Sequence, residues 1–210
     1  AAGVRHGNSG PRHWRDAPNG SNVYDAKADA LAVLAAVGAP VDNLQISADA
    51  PTWYHPGRSG TLRLGKAVLA YFGEVHPKVL RRLDDRGPAA AFEVFLDQVP
   101  QPKQKGGKAR PSLKISAFQP VHRDFAFVVD ASVSADQILR AARGADKALV
   151  SDAGVFDVYE GDSVGEGRKS VAIWLTLQPT ERTMTDEEID AVAASVVANV
   201  EKQTGGTLRG

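Results

Sequence analysis

Between Pro100 and Pro111 the chain reads Pro-Gln-Pro-Lys-Gln-Lys-Gly-Gly-Lys-Ala-Arg-Pro, with no large apolar residue in the whole stretch. Such a segment cannot contribute to a core, so it reads as a linker or long loop between two units. The 210 residues, 43% of them hydrophobic, suffice for two small domains. We expect a first unit over residues 1–100, a linker over 101–116 and a second unit over 117–210. Lys103, Lys105, Lys108 and Arg110 give the linker a local positive charge. Two readings of that charge stay open, a solvated connector or a basic strap on RNA phosphates.

Several function classes drop out at once. No apolar run approaches the roughly 20 residues that cross a bilayer, and Ala1 to Asn8 lacks the layout of a signal peptide. No membrane partner is expected. With no Cys there is no disulfide, thiolate metal site or cysteine nucleophile, which is compatible with a reducing cytoplasm. The overall charge is zero, but residues 111–210 hold 10 basic against 15 acidic side chains. A protein that grips RNA by phosphate neutralisation would carry a basic face, so composition alone argues against nucleic acid.

Upstream of the linker, Ala26, Ala30, Leu31, Leu34 and Ala35 recur at helical spacing, with Asp25 as expected N-cap and Gly38 as terminator. Leu44–Ala48, Leu62–Leu64, Ala67–Val75 and Ala91–Asp97 are short apolar or alternating runs that predict strands. Pro77 opens a short helix through Leu83. The start, Ala1 to Asn22, is rich in Gly, Asn and Arg, shows no clear element, and is expected to lie inside a longer protein. This half reads as an α+β domain on an antiparallel sheet.

Downstream, Asp124–Val129 alternates as a strand with Phe125, Phe127 and Val129 on one face. Ser134 with Gln137, and Thr185 with Glu188, form two capping boxes ahead of amphipathic runs. Ile138, Leu139 and Ala142 mark the first helix; Ile189, Val192, Ala193, Val196, Val197 and Val200 mark the second. Val155–Tyr159 and Lys169–Leu177 are strands joined by a Gly-rich hairpin loop, and Thr207–Arg209 suits a short last strand. The order is βαββαβ, the ferredoxin-like arrangement, which leaves one sheet face free of helices.

Alternation in Lys169–Leu177 puts Val171, Ile173, Leu175 and Leu177 in the core and Ser170, Ala172, Trp174 and Thr176 on the open face. In the neighbouring strand the same reading makes Phe156 and Val158 core, and Asp157 and Tyr159 open. Aromatic rings beside short polar groups are what unpaired bases need, since a base stacks on Tyr or Trp while its edge bonds to Ser or Asp. Cross-strand packing or cover for a neighbouring domain would place the same residues there. His55 and His76, each beside a Pro, read as turn-fixing residues rather than metal ligands. No phosphate loop, nucleophile elbow or paired catalytic carboxylates emerge.

Asn22-Val23-Tyr24-Asp25-Ala26-Lys27, His55-Pro56-Gly57-Arg58-Ser59, Phe72-Gly73-Glu74-Val75-His76-Pro77 and Phe92-Glu93-Val94, in that order, resemble the catalytic-like domain of the bacterial phenylalanyl-tRNA synthetase beta subunit. Pro120 to Val129, Phe156-Asp157-Val158-Tyr159, Lys169-Ser170, Glu181 to Glu188 and Leu208-Arg209 resemble that subunit's ferredoxin-fold anticodon-binding domain. Ala28 and Gly60 depart from the family, which is expected to have Gly and Ala there. The resemblance implies a class II synthetase-like sheet without working motifs, followed by a domain that holds the anticodon of phenylalanine tRNA. It implies no catalytic residue, metal or cofactor in this chain, and a catalytic alpha subunit with the ATP and magnesium site in an alpha2beta2 assembly. Asp157, Tyr159, Ser170 and Arg209 match the anticodon-reading positions, and Trp174 joins them from the open face. The competing reading is a ferredoxin-like module for a small molecule or a protein partner, with the acidic second half as its support.

Overall fold

The computed structural model describes residues 1–8, 14, 20–100 and 115–209, in two compact units, Ala1–Ala109 and Arg110–Gly210. The expected linker, basic residues included, lies outside the described residues except for Ile115 and Ser116.

The first unit is a five-stranded antiparallel sheet of order β1-β5-β4-β3-β2, formed by β1 (Ala2–His6), β2 (Gln45–Ser47), β3 (Tyr54–Leu64), β4 (Ala67–Val75) and β5 (Ala89–Val94). Helix α1 (Val23–Ala36) buries Ala26, Ala30 and Leu34 against Leu62, Leu69, Ala70, Phe72 and Val94. Three expectations are corrected. The cap of α1 is Asn22, whose side chain accepts the amides of Tyr24 and Asp25, while the Asp25 carboxylate accepts the Asn22 amide in return. Asp25 is thus the third residue of a capping box. Residues 2–6 do form a strand, an edge strand whose single large apolar residue, Val4, is exposed, so it showed no alternation. Finally, β3 begins at Tyr54: its pairing with β4 is irregular between Tyr54 and Ser59, and such an irregularity accommodates Pro56. The short helix α2 (Pro77–Arg82) follows β4.

The second unit is a four-stranded antiparallel sheet of order β7-β8-β6-β9, formed by β6 (Val121–Asp130), β7 (Val150–Tyr159), β8 (Arg168–Leu177) and β9 (Thr207–Leu208). Helices α3 (Ala135–Arg143) and α4 (Asp186–Thr204) start at the two capping boxes expected at Ser134 and Thr185. They pack with Phe127, Val129, Val171, Ile173 and Leu175 in one core. Both units are therefore α+β, and the second has ferredoxin-like order.

One expectation in β7 fails. Phe156 and Val158 are 58% and 50% exposed: the pairing with β8 shifts by one residue between Val155 and Asp157, which takes Phe156 out of the alternation, while Val158 keeps the helix side opposite Val171 and is exposed near the end of the edge strand. Phe156 is the extra residue of this bulge, and Val155 fills the core position opposite Ile173. The bulge lets one strand place Ala153 and Val155 in the core and still turn Asp157 and Tyr159 to the open face.

Candidate nucleic-acid interface

Residues directly opposite one another in an antiparallel pair share a face, so the register of the second sheet arranges the side chains opposite α3 and α4 in rows. One row runs Thr207, Val128, Ser170, Tyr159. The next runs Ala126, Ala172, Asp157, and Arg209 extends it by donating its amide to the Ala126 carbonyl at 2.7 Å. Asp124, Trp174 and Gly154 make a third, and His122, Thr176 and Asp152 a fourth.

The five expected site residues thus lie on one face, within the first three rows. Arg209 reaches from β9 towards the opposite edge, with its guanidinium carbon 5.6 Å from the centre of the Tyr159 ring, within cation–π range. The row it follows is floored by Ala126 and Ala172, whose methyl groups leave room above the sheet. Tyr159 is 41% exposed, and its hydroxyl turns back to Gly161, where any side chain would collide with it. Trp174 lies across Gly154, its indole occupying the space that a side chain there would need. The ring is held flat on the sheet, so a stacking surface is already formed.

Ser170 sits differently from the expectation. It is on the open face by register but only 4% exposed, in the inner strand β8 between Val128 and Tyr159. Its hydroxyl makes no hydrogen bond among the described residues, and no buried side-chain polar atom among them lacks a partner. It therefore keeps a small contact with solvent. Asp157, Tyr159 and Trp174 likewise make no side-chain hydrogen bond among the described residues. In the fourth row His122 and Thr176 bond to one another at 3.1 Å, and the Asp152 carboxylate accepts the Ala153 amide at 2.8 Å and lies 3.5 Å from Arg143. Asp124, Asp152 and Asp157 outnumber Arg209 in these rows, so they carry no excess of positive charge. At the end of the sheet, opposite Arg168, Asp130 is held below the ordinary carboxylate range, first by the Ser132 hydroxyl and then by its amide.

Gly154 and Asp152 escaped sequence reasoning, because β7 starts five residues earlier than its Val155–Tyr159 core suggests. His55 and His76 act as turn-fixing groups: His55 Nδ1 accepts the Gly57 amide at 3.1 Å, and His76 Nδ1 accepts the Lys78 amide at 3.0 Å to cap α2.

Residues 116–209 match the family described as ferredoxin-fold anticodon binding domain, and residues 1–96 match the phenylalanyl tRNA synthetase beta chain CLM domain. The chain belongs to the phenylalanyl-tRNA synthetase beta-subunit family. It is 56% identical over 210 residues to the phenylalanine–tRNA ligase beta subunit of Paramagnetospirillum magneticum, covering all of this chain and 26% of that protein. It is 56% identical over 209 residues to that of Rhodospirillum rubrum, with the same coverage, and 55% over 214 residues to that of Bradyrhizobium diazoefficiens, covering 27% of it. The chain spans about a quarter of the length of these relatives. The open face described above belongs to the anticodon-binding domain of this family.

Proposed function

We propose that the open face of the second sheet holds the anticodon region of phenylalanine tRNA, with Tyr159 and Trp174 stacking on bases and Asp157, Ser170 and Arg209 contacting their edges or sugars. The observation that carries the reading is the clustering of two exposed or half-exposed rings with polar groups that have no hydrogen-bond partner of their own among the described residues. Stacking contributes about 1 to 3 kcal/mol per base and needs no positive patch, which answers the objection raised by the acidic composition.

In this reading the chain acts as part of an enzyme in the cytoplasm that attaches phenylalanine to its tRNA at the expense of ATP. The ATP and magnesium site belongs to an alpha subunit, and the first unit supports that subunit in an alpha2beta2 assembly. No step of the chemistry is assigned to this chain. No helix among the described residues is long and apolar enough to cross a membrane.

The test is binding of the 210-residue chain to phenylalanine tRNA and to the same tRNA with a substituted anticodon. The account expects tighter binding to the first, and a Tyr159→Ala chain that folds but no longer discriminates. Absence of binding to either tRNA by the unaltered chain would instead favour a small molecule or a protein as the partner, and equal binding to both would place the contact away from the anticodon.

A further inference from the structure

The first unit carries a second place suited to nucleic-acid chemistry, remote in sequence from the open face. Thr52, Trp53, His76, Lys78, Val79 and Arg82 line a cleft of about 390 Å³, within the size range of small-ligand sites. One wall is the indole of Trp53, 48% exposed although it is a large apolar ring. Its Nε1 donates to Glu93 Oε1 at 2.9 Å, and Glu93 also accepts the Tyr54 hydroxyl at 3.0 Å. The ring is thus fixed by its edge, and the Glu93 carboxylate is held on that edge.

The other wall is α2. Its start is tied to the first wall, since the His76 amide donates to the Trp53 carbonyl at 2.8 Å. Lys78 and Arg82, four residues apart, lie on one side of this helix and are both exposed. Neither has a carboxylate partner among the described residues, whereas Arg5, Arg58 and Arg63 of the same unit are each paired with an acid. Nearby Asp85 is turned to the Gly87 amide and His6 instead. An aromatic wall fixed by its edge, facing two cations without counter-charges, is an arrangement that an acidic peptide would use only in part.

We propose that this cleft binds a phosphate-bearing nucleotide, its base stacked on Trp53 and its phosphate between Lys78 and Arg82. The nucleotide is either free or one unpaired residue of a single-stranded RNA. The site lies in the first unit and stands or falls independently of the open face of the second.

The test uses the 210-residue chain and a fluorescein-labelled hexaadenylate, read by anisotropy at several salt concentrations, with AMP and polyglutamate as competitors. All variants are also made in a Tyr159→Ala background, so that binding at the open face is separated from binding here. The Lys78→Gln/Arg82→Gln chain, altered only at exposed side chains, is expected to bind at least about 5-fold more weakly, with its log–log salt slope lowered by about 0.7 for the one phosphate that the two cations neutralise. Trp53→Ala is expected to weaken binding about 5- to 150-fold, the range for one lost stacking contact, and Trp53→Phe to lose less. Should Trp53→Ala fail to fold, the double variant and Trp53→Phe decide. Competition by AMP with the same sensitivity to these variants supports a free nucleotide, and its failure beside tight oligonucleotide binding supports an RNA strand. The proposal is overturned if hexaadenylate does not bind, if the double variant binds it unchanged, or if polyglutamate displaces it while Trp53 variants are neutral.

Discussion

The two units present the same kind of surface, the sheet face turned away from the main helices, and use it in opposite ways. In the first, the polar groups on and around that face bond to one another. Glu93 accepts from Trp53 and Tyr54, Thr61 bonds to the Asp49 carbonyl, and the Asp49 carboxylate takes Ser47 and Arg63. In the second, Asp157, Tyr159, Ser170 and Trp174 form no side-chain hydrogen bond among the described residues. Polar groups that satisfy each other stabilise a fold; those left without partners at a surface are available to a ligand. The contrast distinguishes a face whose polar groups are spent on the fold from the one proposed to hold tRNA, without any appeal to net charge.

The comparison predicts unequal costs of mutation. The largest is expected from Glu93→Ala, which leaves the Tyr54 hydroxyl, in a residue only 2% exposed, without its acceptor. A loss of about 1 to 3 kcal/mol in urea unfolding follows from one unsatisfied buried donor. Burial, with the Glu93 charge second, holds the ionisation of Tyr54 above the ordinary tyrosine range, so the donor stays protonated. An unaltered stability would mean that the first face is no more structural than the second.

Next come the helix caps. Asn22→Ala in the first unit and Thr185→Ala in the second each remove one side of a complete capping box and are expected to cost about 1 kcal/mol apiece. Because the motif is the same in both units, a clear inequality between the two losses would show that tertiary packing, not capping, fixes one of these helix starts.

A smaller effect is expected from acid. In the first unit Asp29 is held below the ordinary carboxylate range chiefly by the Arg5 hydrogen bond, Asp49 chiefly by Ser47, and Asp85 chiefly by the Gly87 amide. In the second, Asp130 is lowered by Ser132, and Glu188 chiefly by the Thr185 amide. A carboxylate whose pKa is depressed by folding stabilises the fold above its unfolded value, and that contribution fades as pH falls through the folded value. Both units should therefore weaken below about pH 4, the first more than the second. Urea titrations at pH 7 and pH 3, followed by amide resonances assigned to each unit, measure the difference, and a greater loss in the second would reverse the prediction.

The smallest change is expected from Asp157→Asn. The side chain is exposed and has no partner among the described residues, so stability should move by no more than about 0.5 kcal/mol while affinity for phenylalanine tRNA changes. A large loss of stability would show that Asp157 belongs to the fold.

What could be read from the sequence follows from where each signal lives. Capping boxes at Ser134 and Thr185 and the alternation of Val171, Ile173, Leu175 and Leu177 are local patterns, and the structure places them as expected. The bulge at Phe156 is set by pairing with β8, so alternation alone assigned that residue to the core. The edge strand at Ala2–His6 is held by main-chain bonds to β5, which leave no trace in side-chain type. At the candidate site, Tyr159 and Trp174 were legible as open-face rings. Arg209 came from the resemblance alone, because its approach to Tyr159 crosses the two strands β6 and β8. The burial of Ser170 was not legible, since it depends on neighbours in β6 and β7.

The central claim, that tRNA is held by the open face of the second sheet, is tested most directly by NMR titration of the 210-residue chain with the anticodon stem-loop of phenylalanine tRNA. The account predicts shift changes concentrated at Asp157, Tyr159, Ser170, Ala172, Trp174 and Arg209, with the outer surfaces of α3 and α4 unaffected. Changes confined to α3 and α4, with those six residues unmoved, would contradict it.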